Sequence, residues 1–328
     1  MDKAIGLDIG TSRIVTARKD GGSFSYGTEL NAFLPLPYSK ITQNALEKEN
    51  VPHQVNGDHM VVFGNESDRF ANLFHMETRR PMTNGVLNAN EPNGVAMMRR
   101  IVERLIPEAE RPGTRLCFSL PGAPVDSPTD LTYHEKTMRQ LLGGMGFEVA
   151  CVNEGLAVVL AELEDTNFTG IGISCGGGMC NVCFSYLAMP VFSFSVPKAG
   201  DYIDASAASV VGEGATRIRA LKEEQFHFNG YFADKVQQAL SVYYEDMILA
   251  VIAGLKNVMS EARNVPRLDR AIPIVISGGS ACPKGFRERF EALLEPAGLP
   301  VAVSEVRLSA DPLHSTAKGA LVSALAEM

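Results

Sequence analysis

The stretch Gly170-Ile171-Gly172-Ile173-Ser174-Cys175-Gly176-Gly177-Gly178-Met179-Cys180-Asn181-Val182 decides how the chain is read. Residues 171–173 read as a buried strand, three glycines follow, and a second strand over 181–187 leaves at once. Consecutive glycines lose the most backbone entropy on ordering, so they make a poor strand and a poor helix. They suit a tight turn whose bare N–H groups approach a phosphate closely. Taken alone, the stretch also fits an ordinary hairpin turn.

A second copy opens the chain. Ile5-Gly6-Leu7-Asp8-Ile9-Gly10-Thr11-Ser12-Arg13-Ile14-Val15 is again strand, glycine turn with hydroxyl residues, strand, and here a carboxylate, Asp8, ends the first strand. Two such hairpins facing each other across a cleft would hold a polyphosphate from both sides. Asp8 would then hold Mg²⁺ through oxygen or water ligands.

The chain has 328 residues, enough for two domains. Hydrophobic residues make up 45% and mean hydropathy is +0.02, the balance of a soluble globular protein with a sizeable core. A net charge of −8 and a pI near 5.4 argue against general attraction to nucleic acid or anionic membrane. Met1-Asp2-Lys3 runs directly into a strand, which predicts no signal peptide. No apolar run approaches the roughly 18 residues of a spanning helix; 247–255 is the longest candidate. A cytoplasmic location is expected.

Cys175, Cys180 and Cys183 have the spacing C-x4-C-x2-C, part of a plant-type iron–sulfur pattern, with a fourth ligand available from Cys117, Cys151 or Cys282. Against a cluster, the odd separation of Cys180 and Cys183 on one strand sends them to opposite faces. Free thiols packed as small hydrophobes in a reducing compartment are the better reading.

In order, residues 3–9, 13–19 and 23–27 read as a three-stranded meander. Leu34-Pro35-Leu36-Pro37 forbids regular structure locally, and a short hairpin turns at Asn56-Gly57. Arg79-Arg80 reads as solvated surface. Helices are expected over about 64–74, 92–106, from the cap Ser127-Pro128 to 142, 156–164, 205–224, 232–262, 284–294 and from 312. Further strands are expected over 115–120, 147–152, 191–196, 272–276 and 301–304. Three-stranded units followed by βαβ units occur twice, which predicts a duplicated α/β fold with the cleft between its halves.

Five segments in order carry a family resemblance. They are Gly6-Leu7-Asp8-Ile9-Gly10-Thr11, Asn153-Glu154-Gly155-Leu156-Ala157, Gly176-Gly177-Gly178, Gly212-Glu213 with Arg217, and Ile276-Ser277-Gly278-Gly279-Ser280. Smaller echoes stand at Asn84-Gly85-Val86 and Gly200-Asp201. The chain resembles the bacterial actins of the MreB and MamK group, within the actin, sugar-kinase and heat-shock-chaperone ATPase superfamily. The resemblance implies duplicated ribonuclease-H-like domains around an interdomain nucleotide cleft. Domain I would span 1–154, with a subdomain IB insertion at about 31–83 and completion by a helix over 312–328. Domain II would span 155–311.

The resemblance also implies roles. ATP or ADP with Mg²⁺ would occupy the cleft. Asp8 would hold the Mg²⁺ shell, and Gly10, Thr11 and Ser12 would face Gly176, Gly177 and Gly178 across the phosphates. Glu154 would orient the attacking water, because phosphoryl transfer rests on positioning and charge stabilisation; its alternative is a charge complementing the helix dipole. Glu213 would accept from ribose, Arg217 would lie on adenine, and Gly278, Gly279 and Ser280 would leave room for the nucleoside. Ser174 stands where the family has Asp, and Met179 where it usually has Thr. Subdomain IIB is reduced to a short connection near 225–231. The expected function is therefore an ATP-dependent, filament-forming protein with slow hydrolysis, its partner being itself. The alternatives are a non-polymerising nucleotide-dependent regulator or scaffold with unidentified partner proteins, and a small-metabolite kinase.

Overall fold

The computed structural model describes residues 4–125, 130–228, 230–232, 234–262, 266 and 268–326. The first meander is β1 (Ala4–Ile9), β2 (Arg13–Asp20) and β3 (Ser23–Leu30). A small lobe follows, made of β4 (Phe33–Pro37), α1 (Lys40–Lys48), β5 (His53–Asn56), β6 (His59–Phe63) and α2 (Asn65–Phe74). A two-stranded hairpin, β7 (Met82–Thr83) and β8 (Val86–Leu87), leads to α3 (Gly94–Leu105), β9 (Arg115–Leu120), α4 (Thr132–Gly143), β10 (Glu148–Asn153) and α5 (Glu154–Glu162). The second half runs β11 (Gly170–Cys175), β12 (Cys180–Tyr186), β13 (Met189–Val196), α6 (Gly200–Val211), α7 (Ala215–Gln225), α8 (Lys235–Glu261), β14 (Ile272–Ser277), α9 (Phe286–Leu294), β15 (Val303–Leu308) and α10 (Ser315–Ala326).

The duplication is visible in the sheets. One has the order β10-β9-β1-β2-β3 and the other β15-β14-β11-β12-β13. In each, an antiparallel meander is extended by a strand parallel to its first member, β9 on β1 and β14 on β11. All six residues of β11 and of β14 are buried, as expected for inner strands of a sheet covered on both faces. Helices lie unusually close to the first strand of each sheet. A side chain at Gly6 would collide with the Ala317 carbonyl of α10, and one at Gly172 with the Gly155 carbonyl of α5. These two helices meet at Gly319, which lies against the Ala157 backbone, and so join the halves.

Three details differ from expectation. Leu34-Pro35-Leu36-Pro37 is not irregular but lies in β4. That strand is at the sheet edge: β6 is its one partner strand among the described residues and Phe33 alone bridges Arg79 on the other side, so a proline there, lacking its N–H, costs no ladder bond. Its Leu34 and Leu36 enter the lobe core with Leu46, Met60 and Val62. The single helix expected over 205–224 is two, α6 and α7. Gly212 at φ 75° ends the first, a left-handed cap that favours glycine. The cap expected at Ser127-Pro128 lies outside the described residues, and α4 begins at Thr132.

No strand lies between α7 and α8 among the described residues, in keeping with the short connection expected near 225–231. By length and composition α8 could cross a bilayer, although the sequence showed no long enough apolar run. However, 56% of its most apolar stretch is buried, and Leu240, Met247, Val251 and Leu255 pack in one core with residues of β11, β12 and β14.

Candidate functional site

The two glycine hairpins have the same turn. The Gly10 N–H donates to the Arg13 carbonyl at 2.9 Å, and the Gly176 N–H to the Met179 carbonyl at 3.0 Å. They meet across the cleft: Gly177 lies against the Ser12 hydroxyl, and Gly178 against the Thr11 hydroxyl and the Gly85 backbone. Among the described residues, no protein acceptor takes the N–H groups of Thr11, Ser12, Gly177 or Gly178. All four residues line one cavity, and unpaired backbone donors on one lining are the elements of an anion-binding concavity. The second loop is held from behind by its carbonyls. Gly176 O accepts from Gly200 N and Ser280 Oγ, and Gly177 O from Asp201 N, so the start of α6 is fastened beneath the loop.

A cavity of about 470 Å³ extends from these loops. Asp8 and Glu154 sit at its floor. Asp8 is the next-to-last residue of β1, and its Oδ1 accepts from Ser119 Oγ at 2.6 Å. Burial pushes its carboxyl up to about 6, against the lowering effect of the Ser119 bond. Glu154 is the first residue of α5, whose N-cap, Asn153, accepts from Leu156 N. Glu154 Oε2 accepts from Asn181 Nδ2 at 2.8 Å and from Ser174 Oγ at 3.3 Å. Burial, and then the charge of Asp8, push its carboxyl up to about 8. Among the described residues no protein donor meets its Oε1, which is the atom available to a water.

The other end of the cavity is lined by Lys222, Phe226, Tyr244, Gly279, Cys282 and Leu313. Phe226 and Tyr244 stack with centroids 5.0 Å apart. Lys222 is buried and pairs with Asp204 at 2.7 Å while donating to Gly200 O at 3.2 Å. Ion pairs cross the cleft at Arg13–Glu223, Arg80–Asp201 and Asp68–Arg219.

The structure brings Asp8, Gly10, Thr11, Ser12, Glu154, Gly176, Gly177, Gly178, Gly278, Gly279 and Ser280 together on this cavity. Glu213 and Arg217, expected at the nucleoside end, are not among the residues that line it. Glu213 precedes α7, and the Arg217 side chain is 69% exposed and, among the described residues, pairs only with Glu213. The residues of α7 that reach the cavity are Arg219, Lys222 and Glu223. Ile218 is the buried apolar residue of this helix, and Lys222 lies one turn further on the same face. That spacing is the signal by which the sequence could have named Lys222. Ser119, Asn181 and Arg80 also escaped the sequence reading, the last having been read as solvated surface.

A family model described as Volactin matches residues 3–324. The chain belongs to the Volactin family. No curated protein matches it. Among solved structures, a MamK double helical filament resembles this Volactin chain with TM-score 0.73 and 20% identity, covering 100% of this chain and 99% of that one. MreB 5 of Spiroplasma citri bound to AMPPNP has TM-score 0.64 and 14% identity, covering 97% and 95%. The ethanolamine utilization protein EutJ of Carboxydothermus hydrogenoformans has TM-score 0.56 and 18% identity, covering 97% and 89%. The fold is therefore actin-like, as the motif order implied. The iron–sulfur spacing finds no support, since no group of three or more metal-ligating side chains is assembled among the described residues.

Proposed function

We propose that this protein binds ATP or ADP in the cleft between its two domains, turns ATP over slowly, and associates with itself in a nucleotide-dependent way. The observation that carries the reading is that four loop residues whose N–H groups meet no protein acceptor among the described residues line one cavity with the Asp8 and Glu154 carboxyls. The N–H groups would hold phosphate oxygens, and the long cavity toward Lys222 and Tyr244 would hold the nucleoside. Glu154, fixed through Oε2 by Asn181 and Ser174, would orient water with Oε1. A relative, MreB 5 of Spiroplasma citri, has been solved with AMPPNP and with ADP, which supports a nucleotide here.

The donor set also fits Mg²⁺. It is all oxygen, and the mutual repulsion that helps raise the Glu154 carboxyl is what a divalent cation would relieve. Asp8 would be the protein group nearest to it, with water and phosphate completing the shell. The cation would supply charge neutralisation for the phosphates. Ser174 offers only a hydroxyl where a second carboxylate would strengthen that shell, which favours slow turnover.

Self-association rests on the likeness to MamK, solved as a filament, and on an exposed hairpin tip. Leu187 and Ala188 hold positive φ at the β12–β13 turn, and Leu187 and Met189 point to solvent. A non-polymerising regulator is the second reading, favoured by the connection between α7 and α8, which has no strand among the described residues. Calorimetry with ATP and ADP, and pelleting with and without ATP, test both parts. No binding of either nucleotide at millimolar concentration refutes the first. Binding without pelleting or light scattering selects the regulator.

A further inference from the structure

Arg80 sits between the small lobe and the β7 hairpin, and its chemistry is not exhausted by what it touches. Its Nη1 reaches Asp201 Oδ1 and Oδ2 at 2.9 and 3.1 Å and Ser12 Oγ at 3.4 Å. Among the described residues, Nη2 and Nε have no protein acceptor. The side chain is only 20% exposed, so these donors are partly withdrawn from water without being repaid by protein. A guanidinium held at one nitrogen with its other donors open is preorganised for a planar two-point contact with an oxyanion.

Arg80 does not itself line the cavity, but both of its partners, Ser12 and Asp201, do, and that position specifies which oxyanion. Ser12 Oγ is the atom against which Gly177 packs, at the closest approach of the two loops. A phosphate entering between the loops must part this contact, and it then lies within reach of the group that hydrogen-bonds Ser12. From the geometry we infer that Arg80 is a ligand of the terminal phosphate of a nucleoside triphosphate, and that it distinguishes the triphosphate from the diphosphate. Asp201 is its positioning residue: it fixes Nη1, and its own backbone N–H is tied to Gly177 O. The Asp201 carboxylate remains paired as phosphate arrives, so the site does not set a bare acid against the ligand. The inference rests on the nucleotide reading above, and goes beyond it by assigning the discrimination to a residue outside both glycine loops.

The competing account is mechanical, since Arg80–Asp201 is also a pair that spans the cleft. The two are separated by measuring ATP and ADP dissociation constants by calorimetry for the parent, Arg80→Ala, Arg80→Gln and Asp201→Ala. As a ligand, Arg80 gives a loss of about tenfold or more in ATP affinity on Arg80→Ala, the scale of one charge-assisted contact, with ADP affinity nearly unchanged. Arg80→Gln removes the charge and shortens the side chain while leaving an amide donor, and it should show the same selective loss. Asp201→Ala should keep most of the preference for ATP, because the phosphate ligand is still present. If Arg80→Ala and Asp201→Ala shift ATP and ADP alike, the pair is a latch and the inference is overturned. If Arg80→Ala binds ATP as the parent does, it is overturned as well. A parent that binds neither nucleotide overturns the nucleotide reading and this one together, whereas the first two outcomes overturn this one alone.

Discussion

In the first hairpin the working groups are side chains: Asp8 on Ser119, Thr11 on Gly85, Ser12 on Arg80. In the second loop they are backbone: Gly176 and Gly177 accept at their carbonyls from Gly200, Asp201 and Ser280, and the side-chain space of Gly177 and Gly178 is filled by the first loop, while the flanking strands set Ser174 and Asn181 on Glu154. The same turn therefore serves two ends. One loop brings charge and hydroxyls to the cleft, and the other brings closeness. The asymmetry extends to the strand ends, where Asp8 and Ser174 occupy equivalent positions in β1 and β11 but only one carries an acid. Duplication copied the backbone, and the two copies then divided the chemistry.

The most severe way to break this division is through the acid between the loops. Glu154 has its carboxyl raised from 4.5 to about 8 by burial and then by Asp8. A raised carboxyl pKa means that the folded protein favours the protonated form. Its contribution to stability is whole below pH 4.5 and is lost as pH rises through 8. In the absence of metal and nucleotide, stability should fall over that window by an amount on the order of 3 kcal/mol. Glu154→Gln should flatten the fall and be the more stable protein at pH 8. Urea unfolding of both proteins from pH 4.5 to 8.5 checks this; parallel curves would remove the buried ionisation from the account. The same variant should hydrolyse ATP more slowly while still binding it.

The closeness of the second loop is tested next. A side chain at Gly178 would strike the Thr11 hydroxyl and the Gly85 N–H, whereas one at Gly10 meets only the Arg13 carbonyl at 3.0 Å. Gly178→Val should cost about 1–3 kcal/mol, the range for overpacking a filled site. Gly10→Ala should cost under about 1 kcal/mol. Equal losses in thermal unfolding would mean that the two loops are not divided as described.

Making the second loop resemble the first is the third test. Ser174 Oγ lies 3.3 Å from Glu154 Oε2, so Ser174→Asp adds a third acid to a buried pair. Without metal, at pH 8, this should destabilise by about 1–2 kcal/mol through like-charge repulsion and desolvation. Added Mg²⁺ should return that loss in the variant and change the parent less. A variant whose melting temperature is indifferent to Mg²⁺ would show that an acid at 174 does not face a cation site.

Much of this was legible in the sequence. The glycine runs, the carboxylate at the end of β1 and the repeated order of strands and helices specify the fold and the two loops, because turn chemistry and buried-strand patterns are local. What escaped depends on partners far along the chain. Ser119 finds Asp8 across 111 positions and Arg80 finds Asp201 across 121. Nothing beside Arg80 in the sequence separates it from Arg79, which pairs instead with Glu91. The prolines of β4 misled for another reason: their cost depends on which edge of a sheet they occupy, and the edge is a tertiary fact.

The smallest effect is expected where the motif order pointed and the structure did not follow. Glu213 and Arg217 match the resemblance at the nucleoside end, yet they form an i, i+4 pair with side chains 38% and 69% exposed. Such a pair is worth roughly 0.3–0.5 kcal/mol, because water screens the charges and two long side chains lose freedom to meet. Neither residue lines the cavity, so Arg217→Ala should change ATP affinity by less than about twofold, well under the effect of one tenfold step of about 1.4 kcal/mol. Lys222→Ala, one turn further along α7, provides the internal contrast. It would strand the buried Asp204 carboxylate, and breaking such a pair costs about 3–5 kcal/mol. If Arg217→Ala instead weakens ATP binding tenfold at unchanged stability, then α7 must turn when nucleotide enters, bringing its solvent face to the base. The loops would still be divided as described, but the wall opposite them would be movable.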